Sequence, residues 1–459
     1  MLKILLRVLS AHGLAVILKI IGGFVFPRYM SVQAYAEYQT FSLYLSYLPI
    51  LTLGIPAGMF VRYGGQSSHT LDKARYKCEF YLLSVVLISF TALFFALWLI
   101  WRERMLFYIT LCIIPYCLVC SYLSLYQTWG EFSKYNRLQL ITSAVPITGS
   151  FVILLAMGRM EADWFIRLFI AVYLFVTVAI VFNTGKMTKG VKTAPILDKD
   201  NLQTWRIGLA VCIGSYIHVV IHSLDKQIVK LVFDTADFAR YSFALSLQSV
   251  ITVFITALSQ PLYYFMAKEG ESPDRCHTVP MRLLLMLGAG GGVALHICKW
   301  IVSRFLPSYI GALDIVTVYF TAFPAMAVIH CLFINLYKLR RETKQYVLRL
   351  TGVLVLSVAL NVLFILWRRE LTSVAMATVM VYYIWLIADV KHFPEVSFSL
   401  RDGVFLMGCL GAYALSLKIN ASMVAGAAYC LLYCPICLLV YRTEVMVGLK
   451  YLFRKNSGV

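Results

Sequence analysis

Apolar runs of about 20 residues recur along the whole of this chain, and each is long enough to cross a bilayer as a helix. That feature excludes most of what 459 residues could otherwise fold into. Hydrophobic residues make up 61% and charged residues only 14%, where a soluble chain carries about a quarter charged. Mean hydropathy is +0.78. The runs are continuous and do not alternate with period two, so they are not the strands of a membrane β-barrel. The sequence therefore specifies an all-α polytopic membrane protein.

Fourteen spans are predicted. Six lie at 4–26, 38–60, 79–101, 105–126, 138–157 and 164–183. Six more lie at 205–232, 238–266, 280–302, 310–336, 345–366 and 371–388, and two follow at 404–417 and 422–441. The segment 404–417 is short for a span. The first run is expected to stay in place, because "FPRYM" after it lacks the small-residue pattern of a cleavage site.

Lysine and arginine set the orientation. With the N-terminus in the cytoplasm, 27 of the 41 basic residues fall on the cytoplasmic side and nine on the other. Both termini are thus predicted to be cytoplasmic, in the cytoplasmic (inner) membrane. Most of the formal charge of +19 is topology, and it implies no nucleic-acid partner. Because every connection is short, none can hold a soluble catalytic domain. The longest, "NTGKMTKGVKTAPILDKDN", is polar, Lys-rich and close to mid-chain. It divides the chain into a first lobe at 1–185, a cytoplasmic linker at 186–204 and a second lobe at 205–390. The segment 391–459 supplies two last helices and a cytoplasmic tail.

The two lobes repeat one another. "YMSVQAYAEY" at 29–38 and "VFDTADFARY" at 232–241 align at an offset of 203, matching Tyr35 with Phe238, Ala36 with Ala239 and Tyr38 with Tyr241. Asp72 and Lys73 before the third span match Asp274 and Arg275 before the ninth. Tyr126, Glu131 and Tyr135 after the fourth match Tyr337, Glu342 and Tyr346 after the tenth. Six spans followed by six more restore the same orientation, so the repeat is parallel.

The stretches "KIIGGFVFPRYMSVQAYAEYQTFSLYLSYLPILTLGIPAGMFVRY" and "LDKQIVKLVFDTADFARYSFA" carry a resemblance. They resemble bacterial polysaccharide repeat-unit flippases, or O-antigen transporters, of the multidrug/oligosaccharidyl-lipid/polysaccharide exporter superfamily. The second stretch resembles that family's Asp-Arg motif and following Tyr, with Lys226 in place of the motif's Arg. That exchange keeps the charge and loses the planar fork. The resemblance implies two six-helix lobes around a central cavity, with the last two helices outside. It also implies alternating access that moves an undecaprenyl-pyrophosphate-linked oligosaccharide between leaflets.

Polar stripes support such a cavity. His12, Ala15, Lys19 and Gly22 share one helix face in the first span, and Ser215, His218, His222 and Asp225 share one in the seventh. At the offset of 203 these are the same four positions. A charge at membrane depth is costly unless it faces protein or water, which turns such stripes inward. Lys19, His218, His222 and Lys226 are the candidate ligands of an anionic head group. Asp225 and Asp314 are candidate carriers of a coupled H⁺ or Na⁺, and Arg62 is a candidate for the cavity entrance.

Each has a plainer reading. Lys19 could snorkel to the interface, Asp225 and Lys226 could position a helix end, and Asp314 with Thr317 and Thr321 could pack between helices. Arg62, at the cytoplasmic end of the second span, reads more readily as a positive-inside anchor than as an entrance ligand. His218 and His222 sit one turn apart, but the sequence offers no third ligand to make them a metal site. Cys117–Cys120 and Cys434–Cys437 lie within apolar runs and read as packing residues. No phosphate loop and no cofactor motif occurs.

The predicted function is therefore transport of a lipid-linked oligosaccharide, with the bilayer and polysaccharide assembly proteins as partners and no enzymatic step. A lipid II flippase or drug exporter of the same superfamily would share these features. A polysaccharide polymerase or ligase would need a large extracytoplasmic loop, and none is present. A reporter active only in the cytoplasm should give signal when fused after Gly190 or Arg341. Fused after Arg104 or Arg369 it should be silent, and the opposite pattern would reverse the orientation.

Overall fold

The structure is a computed structural model that describes residues 21–64, 71–158, 161–195, 198–269, 277–340, 342–444 and 446. Among them there is no strand. Backbone amides in hydrocarbon have no water to bond, so helices, which satisfy them internally, are what such runs must form. In chain order the helices are α1 (21–29), α2 (Val32–Tyr47), α3 (Ile55–Arg62), α4 (Lys73–Trp101), α5 (Arg104–Thr128) and α6 (Phe132–Met157). Then come α7 (Ala162–Met187), α8 (Lys199–Val232), α9 (Thr235–Glu269), α10 (Thr278–Phe305), α11 (Ala312–Phe320) and α12 (Phe323–Val328). A π-helical turn at Ile329–Phe333 leads into α13 (Ile334–Leu339), and α14 (Thr343–Trp367), α15 (Leu371–His392), α16 (Leu400–Ser416) and α17 (Ser422–Val440) complete the chain.

Nine of these helices are long and apolar enough to span a membrane, or eleven if two bent pairs count as spans. Two expected spans are therefore not continuous. The run 38–60 breaks at Leu53 and Gly54, both left-handed with φ of 48° and 76°, and the two parts meet at 61°. Pro56 at the start of α3 cannot donate to the helix before it, so it suits a new beginning. The run 310–336 breaks between Phe320 and Phe323, just before Pro324, and bends by 55°. The short predicted span at 404–417 is the 17-residue α16. Most of the first predicted span lies outside the described residues.

The chain forms two compact units, Met1–Ser223 and Leu224–Val459. Their boundary falls inside α8 and not in the polar linker. The reason is local: the linker and the first half of α8 are fastened to the first unit. Lys77 donates to the Val191 carbonyl at 2.9 Å, and the Ala194 amide donates to the Ala74 carbonyl at 3.2 Å. Further along, Gly208 of α8 lies against Gly54 and Gly58. A Cβ on Gly208 would stand 2.3 Å from the Gly54 carbonyl oxygen, and one on Gly58 would stand 2.6 Å from the Thr204 carbonyl oxygen. Small residues four apart let two membrane helices approach this closely.

The repeat seen in the sequence is a repeat of local geometry. Ser31 caps α2 by accepting the Ala34 amide at 3.1 Å, and Asp234, 203 residues on, accepts the Asp237 amide at 2.7 Å before α9. Both are side chains that satisfy a helix's orphan amides. The Glu131 amide donates to the Tyr126 carbonyl at 2.9 Å, and the Glu342 amide to the Tyr337 carbonyl at 3.0 Å. The same turn therefore joins α5 to α6 and α13 to α14.

The glycine contact generates a clean comparison. Gly208→Ala should destabilise the first unit by roughly the cost of overpacking, about 1–3 kcal/mol or more where the clash is with backbone. Gly185→Ala on α7 meets nothing within 4 Å and should be neutral. Thermal unfolding of the two purified variants in detergent checks this, and equal melting temperatures would refute the close crossing.

Candidate functional site

In the second unit, four helices bring polar side chains to one buried carboxylate. Asp225 on α8 accepts from Thr378 of α15 at 2.6 Å and from Tyr241 of α9 at 3.1 Å, and Tyr319 of α11 bonds the same oxygen. The Tyr241 and Tyr319 hydroxyls are 2.7 Å apart. Asn361 of α14, fully buried, lies near the carboxylate, and its amide nitrogen donates to the Ser357 carbonyl at 2.9 Å. Its carboxamide oxygen has no hydrogen-bond partner among the described residues.

The proton count of this cage decides what it can hold. Each hydroxyl has one proton to give, and an ionised carboxylate has only lone pairs to offer. Three hydroxyls have three protons for four close contacts, three to one Asp225 oxygen and one between the two tyrosines, so the cage around an ionised Asp225 is one proton short. A buried carboxylate and an unpaired carboxamide oxygen are hard oxygen donors, the type that takes a small cation or a proton. The donors that α9, α11 and α15 bring to Asp225 are all hydroxyls.

The first unit treats its charges differently. Arg62, at the end of α3, donates to Glu79 of α4 at 2.6 Å, to Asn201 at 2.8 Å and to the Asp200 carbonyl at 2.6 Å. Tyr63 donates to the other Glu79 oxygen at 2.6 Å. Arg75 pairs with Asp200 at 2.9 Å. Arg62 is thus built into a junction of α3, α4 and the start of α8, with its side chain 14% exposed.

The remaining sequence candidates are dispersed. Lys19 lies outside the described residues. His218 is half-buried and His222 exposed on α8, with their Nε2 atoms 3.3 Å apart. A bond between two ring nitrogens needs one donor and one acceptor, so the pair shares a proton. Lys226 follows Asp225 and is half-buried. Asp314 is exposed in the first turn of α11 and is not part of the Asp225 cage, to which that helix contributes Tyr319 instead. Thr317 and Thr321 turn their hydroxyls back onto their own helix, to the Leu313 and Val318 carbonyls.

Tyr319, Thr378, Asn361 and Glu79 were not singled out by sequence reasoning. Tyr241 was, as the Tyr of the hinge and of the motif. Nothing local marks Tyr319 or Thr378, which lie 94 and 153 residues from Asp225. Glu79 carries a weak signal, being an acid at the mouth of an apolar run with Arg62 before it.

The helices and their spans define a multi-pass membrane protein. No protein-family model matches the chain, and no curated protein matches it. Among solved structures it is similar to the lipid II flippase MurJ in an inward closed conformation, with a TM-score of 0.69. The match covers 95% of this chain and 99% of that one at 14% identity, so what the two share is the fold.

The Arg62 junction predicts a distinctive mutational pattern. Arg62→Ala should strand Glu79 and cost about 3–5 kcal/mol, the range for breaking a buried pair. Adding Glu79→Gln to Arg62→Ala should recover most of the loss. If folded yield and melting temperature of the double variant are no better than those of the single one, the pair is not what Arg62 serves.

Proposed function

We propose that this chain is a flippase that carries an undecaprenyl-pyrophosphate-linked oligosaccharide repeat unit across the cytoplasmic membrane by alternating access. The product would feed surface polysaccharide synthesis, whether O-antigen, capsule or exopolysaccharide, alongside the assembly proteins of that pathway. Translocation changes no covalent bond, so the reading is of a transporter and not an enzyme. Three things support it: the flippase fold shared over 95% of the chain, the motif Asp225–Lys226 with Tyr241, and short connections that leave no room for a catalytic domain. The observation that carries the reading is the Asp225 cage, a carboxylate buried among apolar helices and held by hydroxyls rather than by an arginine.

In this reading Asp225 takes up the coupled H⁺ or Na⁺, with Asn361 and Thr378 beside it. Asp314, being exposed, is the poorer carrier. Lys19, His218, His222 and Lys226 attract the anionic diphosphate, where a partly dehydrated setting makes Coulomb attraction stronger than in water. Arg62 guards the cytoplasmic end only through its junction with Glu79. Both termini lie in the cytoplasm.

Deleting the gene should strip surface polysaccharide and leave lipid-linked repeat units on the cytoplasmic face. The wild-type gene should restore the surface glycan. Asp225→Asn, present at equal level in the membrane, should restore it at least about tenfold less well, since a hydrogen bond to a charged group is worth about 1.5–3 kcal/mol. Complementation normalised to immunoblot is the measurement. Normal glycan in a deletion strain without a second transporter would sink the substrate assignment, and lipid II accumulation with lysis would replace it. Full rescue by Asp225→Asn would sink the coupling role alone.

A further inference from the structure

Between α13, α14 and α15 the second unit contains a groove of about 400 Å³. Its lining changes character along its length. Gln345, Arg349 and His392 line one end, and Gly352, Leu356 and Ile384 line the rest. From Gln345 to Leu356 the helix rises about 16 Å at 1.5 Å per residue, which takes the groove from a helix end well into the hydrocarbon layer. Around it, Leu348 and Val355 of α14 and Met380 of α15 are exposed, as side chains that meet lipid tails are.

The polar end is a prepared donor site. Arg349 is held at its Nε by Asp389 at 3.0 Å, and its Nη2 donates to the Ala388 carbonyl at 3.1 Å. Its Nη1 edge has no acceptor among the described residues, and neither does the exposed Gln345 carboxamide. An arginine fixed on one side and open on the other has already lost the freedom that binding would cost. His392 is likewise fixed, bonded to Glu342 at 2.8 Å and stacked on Tyr337. Asp389 offsets Arg349 and Glu342 faces His392, but Lys344 and Lys391 are exposed beside the groove without an ion-pair partner among the described residues. The balance at this end is positive.

We propose that this groove binds a membrane phospholipid with an anionic head group. Its phosphate sits on the open edge of Arg349 and on Gln345, and one acyl chain runs along Gly352, Leu356 and Ile384. An extra negative charge on the head group meets Lys344 and Lys391, which a choline head group would oppose. The lipid fills a space that helix packing leaves open, and so ties α14 to α15 from outside. This inference needs only that the helices span a bilayer and does not depend on what the protein transports.

Gly352 makes the test clean. A Cβ there meets nothing within 4 Å, so Gly352→Leu fills the groove without displacing a neighbour. The full-length protein, purified in maltoside detergent, is melted with phosphatidylglycerol, phosphatidylcholine or inorganic phosphate added. Phosphatidylglycerol should raise the melting temperature of wild type, and the other two should do so far less. Without lipid, Gly352→Leu should melt like wild type, and its response should need about tenfold more phosphatidylglycerol, one decade of affinity. Gln345→Ala, an exposed change that leaves the fold alone, should weaken the same response. Native mass spectrometry should show one phosphatidylglycerol fewer on Gly352→Leu. An undiminished response in both variants would overturn the site. Equal stabilisation by phosphatidylcholine would overturn the charge preference, and an equal effect of phosphate alone would overturn the lipid.

Discussion

An ionised side chain in hydrocarbon costs several kcal/mol unless protein meets it, and most of the junctions in this molecule are answers to that cost. Glu79 is met by Arg62 and Tyr63. Asp389 is met by Arg349 and Tyr337. Asp402 and Glu444 are both met by Arg282, which thereby ties α10 to the start of α16 and to the segment after α17. Glu444, beyond the last helix, shows the balance: burial alone would raise its pKa, but bonds from Thr443 and Arg282 hold it lower. In each case a charge that could not stay alone fixes where helices cross.

Asp225 answers the same cost by other means. Where Glu79, Asp389 and Asp402 each bond an arginine, Asp225 is held by the hydroxyls of Tyr241, Tyr319 and Thr378. A guanidinium bond locks a carboxylate into a structural pair, because removing either partner strands the other. Hydroxyl bonds stabilise the charge while leaving it available to a cation that comes and goes. The distinction between the two kinds of junction is one of chemistry and not of position.

Much of this frame was legible in the sequence because its causes are local. Span lengths follow from bilayer thickness, and each predicted span from the second to the fourteenth falls on helix, although the runs 38–60 and 310–336 are bent and broken. The caps at Ser31 and Asp234 lie inside the two stretches whose repetition was visible. What was not legible depends on distant partners. The bend at Leu53–Gly54 follows from a backbone contact with Gly208, some 150 residues on. Hydropathy sees apolar residues on both sides of it and reads one span. The cage around Asp225 was half legible, since the motif supplies Asp225 and Tyr241. Tyr319, Thr378 and Asn361 look like any polar residue in an apolar helix until folding brings them together.

The repeat itself shows where frame and chemistry part. Tyr38 and Tyr241 occupy the same place after the same cap, 203 residues apart. Tyr38 packs edge-on against Phe26 at 5.3 Å and Phe165 at 4.7 Å between ring centres, an aromatic cluster. Tyr241 points the same kind of ring at Asp225 and Tyr319 and works through its hydroxyl. The residue aligned with Asp225 in the first half is Gly22, which has no side chain to receive a bond. With glycine there, nothing calls for a donor, and packing decides what the tyrosine does. With aspartate there, an unmet charge would cost more than packing could return, and the hydroxyl is recruited. The repeat writes one scaffold twice, and a buried carboxylate at this one position of the second half gives the two aligned tyrosines different partners.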